Sequence, residues 1–227
     1  MGVLIIFIIG LFITSFYIDH YPSIKNISEK KITLKESRYS INVNNFIFYK
    51  FINTMFTGIA IGSYVVQYEP IKIDDFPIMG IIFAILTIPI SLLYQRILTI
   101  DYFFRFLLLV ELIMLIWITL FLISPYSYQI ALLIYIARNI TFLFGDFLGR
   151  AETLFLKKKR ILSSIDVIKQ IGSICGMILS VLIYKYLQDI YLISDNQTKV
   201  YYIHFILIVL QILILISVFK SFKKKSI

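Results

Sequence analysis

Seven apolar runs of about 20 residues constrain this chain more than any other feature. They cover residues 2–18, 46–68, 77–94, 106–123, 129–149, 167–187 and 200–219. A helix of that length crosses about 30 Å of hydrocarbon. A bilayer core offers no water to the backbone, so only helices and closed barrels span it. A barrel strand would be about 10 residues of alternating hydrophobicity, and these runs are longer and do not alternate. The pattern predicts an all-α polytopic membrane protein with seven transmembrane helices. Composition agrees: 59% of residues are hydrophobic and 15% charged, against about 45–50% and about 25% in soluble domains.

The segments between the runs alternate in charge. Residues 19–45 carry Lys25, Lys30, Lys31, Lys35 and Arg38, and residues 95–105 carry Arg96 and Arg105. Residues 150–160 carry Arg150, Lys157, Lys158, Lys159 and Arg160, and the tail carries Lys220, Lys223, Lys224 and Lys225. The intervening segments are acidic or uncharged: Glu69, Asp74 and Asp75 against Lys72, then residues 124–128, then Asp189 and Asp195 against Lys199. Basic loops face the cytoplasm, which puts the N-terminus outside and the C-terminus inside. The expected organisation is an N-terminal transmembrane helix (1–18), a basic cytoplasmic loop (19–45), a six-helix membrane domain (46–219) and a basic cytoplasmic tail (220–227). The first run has no basic n-region and no small-residue cleavage site, so it reads as a retained helix. The host membrane would be a cell inner membrane, or an organellar one if the gene is organellar. The net charge of +9 lies in the loops, without a soluble module for nucleic acid. The one cysteine, Cys175, excludes an intrachain disulfide, and it reads as a small core residue.

Charge inside the runs marks candidate chemistry, because a mid-membrane charge costs about 2.5–3.5 kcal/mol on insertion scales. Arg138 sits at mid-depth, and Glu111 is a candidate partner. Asn53 and Thr57 share a helical face and either pack or line a polar cavity. Asp146 is nearer the inner face, one turn from Arg150, and reads as a latch. Lys50 and Lys169 read as snorkelling anchors. Asp101 and Arg105, one turn apart, form either a latch or a solvated turn. The glycine pairs Gly58/Gly62 and Gly172/Gly176 have the spacing that lets helices approach closely. The sequence shows no phosphate loop, no His-Glu-x-x-His and no nucleophile beside a base, so neither an enzyme, a cofactor nor a metal is expected.

Across the runs 129–149 and 167–187 and the hinge between them, the chain resembles the major facilitator superfamily of secondary transporters. Arg138 in an apolar helix, Gly145 below it, a basic hinge and the run from Ile171 through Gly172 and Gly176 look like that family's fourth-helix arginine and glycine-rich fifth helix. The hinge between 95 and 105 keeps basic residues and a displaced Asp101 but lacks the family's glycine, and Met177 stands where a proline is usual. The resemblance implies one six-helix half plus an extra helix: a second half, a split protein or a truncated product. It implies a partner half or a homodimer, and alternating-access transport of a small solute past Arg138, Glu111, Asn53 and Asp146. The competing expectation is an accessory subunit of a larger membrane complex.

Overall fold

The computed structural model describes residues 37–225, apart from the side chains at 94–96. The run 2–18 and the loop up to residue 36 lie outside the described residues.

Helices follow the apolar runs, and polar residues set their starts. Helix α1 spans Val43–Ala60, three residues earlier than the apolar run suggests, because the Asn42 side chain accepts the Asn45 N–H at 3.3 Å and caps it. One 3-10 turn, Ile61–Ser63, separates α1 from the short α2, Tyr64–Tyr68. Helix α3 is Asp75–Ile97 and continues through Pro89. Helix α4 is Ile100–Ile123, capped by Thr99, and α5 is Tyr128–Leu143, capped by Ser127. Helix α6 is Gly145–Phe155, α7 is Lys159–Asp189, and α8 is Asn196–Ser221, capped by Asp195.

Among the described residues, five stretches are long and apolar enough to cross a membrane: Asp75–Leu93, Ile100–Ile123, Tyr128–Phe155, Lys159–Asp189 and Asn196–Ser221. The chain is thus a helical, membrane-embedded protein. The run 46–68 is not among the five, being divided at the 3-10 turn.

Helix α1 packs against α7 on one side and α8 on the other; α8 packs on α4, α4 on α5, and α5 on α3. Helix α8 is the most enclosed span. Its buried positions, among them Val200, Ile203, His204, Leu207, Gln211, Ile214 and Val218, recur every three or four residues as one stripe. The α1–α7 crossing is the tightest. A Cβ on Gly172 would meet the Phe51 carbonyl oxygen at 2.5 Å, and one on Gly176 would meet the Gly58 Cα at 3.0 Å. Gly62 stands apart from that crossing, with only the Tyr184 ring at 3.6 Å.

Four features differ from the sequence reading. The all-α architecture carries one short ladder that the sequence did not announce: β1 (Tyr39–Ile41) pairs antiparallel with β2 (Phe222–Lys224), Tyr39 opposite Lys224. They lie in the segments read as a basic cytoplasmic loop and a basic cytoplasmic tail, but Phe222 packs among Phe46, Phe103 and Phe104, and that burial holds the tail down. The basic hinge 150–160 is mostly helix, and only Leu156–Lys158 separates α6 from α7, because the amphipathic α6 buries Phe147, Ala151 and Glu152. Cys175 is exposed rather than in the core: the buried stripe of α7 passes through Gly172, Gly176 and Ser180 and leaves it outside. Lys199 belongs to α8 and is buried, its Nζ donating to Gln188 Oε1 at 3.1 Å.

Candidate functional site

Residues of α1, α2, α4, α5 and α8 line a half-open pocket of about 180 Å³. Its polar wall is Asn53, Thr57, Glu111, Arg138, Thr141 and Gln211; Phe56, Val110, Met114 and Phe142 make the apolar wall, and Tyr64 completes the lining.

Glu111 is 2% exposed, and three donors converge on its carboxylate. The Tyr49 hydroxyl donates to Oε1 at 2.7 Å and the Asn53 amide to the same oxygen at 3.0 Å. The Gln211 amide donates to Oε2 at 2.8 Å and also to the Glu111 backbone carbonyl at 2.9 Å. Tyr49 and Asn53 reach one oxygen together because they are four apart on α1. Hydrogen bonds to a charged group contribute about 1.5–3 kcal/mol each, so three of them offset the insertion cost of the carboxylate.

Arg138 is satisfied differently. Among the described residues no carboxylate lies within ion-pair distance of it. Its Cζ sits 3.5 Å from the Tyr64 ring centroid, with Phe142 at 5.4 Å and Tyr68 at 6.0 Å. A desolvated cation over an aromatic face gains about 2 kcal/mol, comparable to the cost of placing arginine at this depth. A stack uses the face of the guanidinium and leaves its in-plane donors; among the described residues only the Tyr68 hydroxyl accepts from Nη1, at 3.4 Å. Tyr64 is itself stacked on buried Trp117, centroids 6.0 Å apart.

Arg138, Glu111 and Asn53 therefore meet at one pocket, with Thr57 beside them. Asp146 does not: it is exposed in the first turn of α6. The sequence reading overlooked Tyr64, Thr141 and Gln211. Gln211 had a signal, since it stands seven residues after His204 in an otherwise apolar run, a spacing that puts both on one face.

A second polar cluster lies between α1, α6 and α7. Glu152 accepts from Lys50 at 2.5 Å and from Lys169 at 2.8 Å; Lys169 is also 3.6 Å from exposed Asp166. Lys50 and Lys169 are thus not simple snorkelling anchors. Their shared partner is a buried carboxylate that the sequence hides among five cations. At the same end, Asp101 accepts from the Ser37 hydroxyl at 2.8 Å and the Arg38 N–H at 3.1 Å, tying the start of α4 to the chain before β1. It is neither a solvated turn residue nor dependent on Arg105, whose guanidinium lies 5.7 Å from the Tyr102 ring.

At the other end His204, stacked 3.9 Å from Phe121, donates from Nδ1 to the Val200 carbonyl at 2.7 Å. Its Nε2 is left to accept from the Gln67 amide, joining α2 to α8. Among the described residues no group of three or more His, Cys, Asp or Glu side chains comes together as a metal site would require.

Comparison with known protein families, with curated proteins and with solved structures finds no match to this chain.

Proposed function

We propose that the bundle is the solute-binding half of a secondary transporter of the facilitator type, working by alternating access against a partner half or a second copy. One observation carries the reading: Arg138, without a carboxylate partner among the described residues, shares a mid-helix pocket with Glu111 and Asn53. Charges at that depth that face a cavity within the bundle mark solute pathways. The seven-span count, with the N-terminus outside, belongs to the same proposal.

The test is uptake into membrane vesicles from cells producing the chain, with a panel of labelled sugars, carboxylates and amino acids. At least one solute enters faster than into control vesicles. Arg138→Ala reduces that uptake at least ten-fold while the amount of membrane-inserted protein is unchanged. Uptake indifferent to the substitution, or absent for the whole panel, refutes the reading.

A second reading, an accessory subunit of a membrane complex, draws on α3. No residue of its apolar stretch is buried within the bundle, and Ile78, Ile81, Ile85, Ile88 and Leu92 are all exposed. The mass of the particle released by mild detergent separates the two. A monomer or dimer favours the transporter, and a large stable assembly favours the subunit.

A further inference from the structure

Two parts of the pocket lining call for opposite ligand groups. Arg138 carries N–H donors that, among the described residues, meet only the Tyr68 hydroxyl at 3.4 Å. At Glu111 and Gln211, acceptors are in excess. Glu111 Oε1 takes two donors, Oε2 takes one from Gln211, and an ionised carboxylate has about four acceptor positions. Gln211 is fully buried, and its Oε1 has no partner among the described residues. That oxygen belongs to the same amide whose nitrogen donates to Glu111 Oε2. A buried acceptor left unpaired costs about 1–3 kcal/mol, which a ligand donor would recover.

We propose that the pocket binds a small zwitterion, its carboxylate on Arg138 and its ammonium group on Glu111 Oε2 and Gln211 Oε1. The inference rests on the solute-binding reading above and narrows it to a substrate class. The guanidinium fork matches a carboxylate in plane. An ammonium supplies up to three N–H donors and no acceptor, as the Glu111–Gln211 part requires. Phe56, Val110, Met114 and Phe142 leave an apolar flank for a short hydrocarbon side chain. At about 180 Å³ the space is below the roughly 300–1,000 Å³ of drug-sized sites, so the molecule is of amino-acid size.

Three probes of nearly one skeleton test this: L-valine with both charges, isovalerate with the carboxylate alone, and isobutylamine with the amine alone. D-Glucose is the uncharged control. The full chain in lipid nanodiscs is titrated while the fluorescence of Trp117, stacked on the pocket wall Tyr64, is followed. Equilibrium dialysis with labelled L-valine gives a readout independent of that reporter. L-Valine binds saturably, isovalerate and isobutylamine bind at least ten-fold more weakly, and glucose does not bind. Glu111→Gln, which keeps an amide in place of the carboxylate, lowers L-valine affinity to that of isovalerate. Arg138→Gln lowers it to that of isobutylamine. Equal affinity for L-valine and isovalerate, or binding of glucose alone, overturns the zwitterion and leaves the transport reading standing. Failure of every probe in dialysis also overturns it, while the vesicle uptake panel decides the transport reading separately.

Discussion

Gly172→Ala puts the packing argument to its hardest test. Its new Cβ would lie 2.5 Å from the Phe51 carbonyl oxygen and 3.3 Å from the Met55 nitrogen, where ordinary contact begins at 3.4 Å. Both of these neighbours are backbone, so no rotamer change relieves them, whereas the Thr54 Oγ1 that the Cβ would also meet belongs to a side chain and can be removed. Helix α1 would have to retreat from α7 by about 0.9 Å at the crossing, the difference between 3.4 and 2.5 Å. That movement also opens the Gly58–Gly176 contact one turn away. Overpacking of this kind costs about 1–3 kcal/mol. At about 2–4 °C per kcal/mol for a domain of this size, the melting temperature falls by about 2–12 °C. The assay is thermal unfolding in detergent, followed through Trp117, the only tryptophan. Gly149→Ala, with nothing within 4 Å of its Cβ, is the control and leaves the melting temperature unchanged or raises it. Adding Thr54→Ala to Gly172→Ala does not restore stability, because the carbonyl clash remains. A Gly172→Ala protein melting within a degree of the wild type, or one rescued by Thr54→Ala, would refute the reasoning.

Three other outcomes follow from the same structure. Glu152→Gln strands Lys50, whose side chain is only 13% exposed, together with Lys169; breaking a buried pair from one side costs about 3–5 kcal/mol, and Lys50→Met, which leaves Glu152 with Lys169, costs less in the same melting assay. Phe222→Ala removes a 5%-exposed ring from the cluster with Phe46, Phe103 and Phe104 and destabilises by about 3–5 kcal/mol, with faster proteolysis of the tail. Asp195 is held below the usual aspartate value, first by the hydrogen bond from the Thr198 hydroxyl and then by the Thr198 N–H. Its stabilisation of α8 is therefore complete above about pH 3.9 and declines as pH falls through the lower folded value, so acid melting curves of wild type and Asp195→Ala converge there; curves that stay parallel refute the cap.

How much was legible depended on whether a residue's role was set locally. The apolar runs located the helices, but α4 and α8 start at Ile100 and Asn196, before the runs that begin at 106 and 200, because Thr99 and Asp195 cap them and a cap carries no hydropathy. Arg138, Glu111 and Asn53 stood out because polar groups are costly in apolar runs. What the sequence could not supply is which side chain faces which. Arg138 turned to an aromatic face rather than to Glu111, because Tyr64 comes from a helix broken at Ile61–Ser63 and no periodicity announces that break. Of four glycines at the same spacing, three meet at the α1–α7 crossing and Gly62 does not; spacing defines a stripe but not its partner. Glu152 was masked by charge averaging over a segment that is helical, not a loop.

The β1–β2 pair has a consequence in time. Its register joins Tyr39 to Lys224, so at about 5–20 residues per second the first strand is made roughly 10–40 s before its mate. Throughout that interval β1 presents unpaired backbone groups at the membrane surface, a template for any extended chain nearby. Asp101 is available much sooner, and its bonds to Ser37 and Arg38 can hold the strand against the start of α4 until α8 is complete. The Asn42 N–H then meets the Ser221 carbonyl at 2.8 Å, and the Lys225 N–H meets the Arg38 carbonyl at 2.8 Å. Asp101 on this view acts as a placeholder during synthesis, keeping the opening strand parked until the segment that closes the bundle has been made.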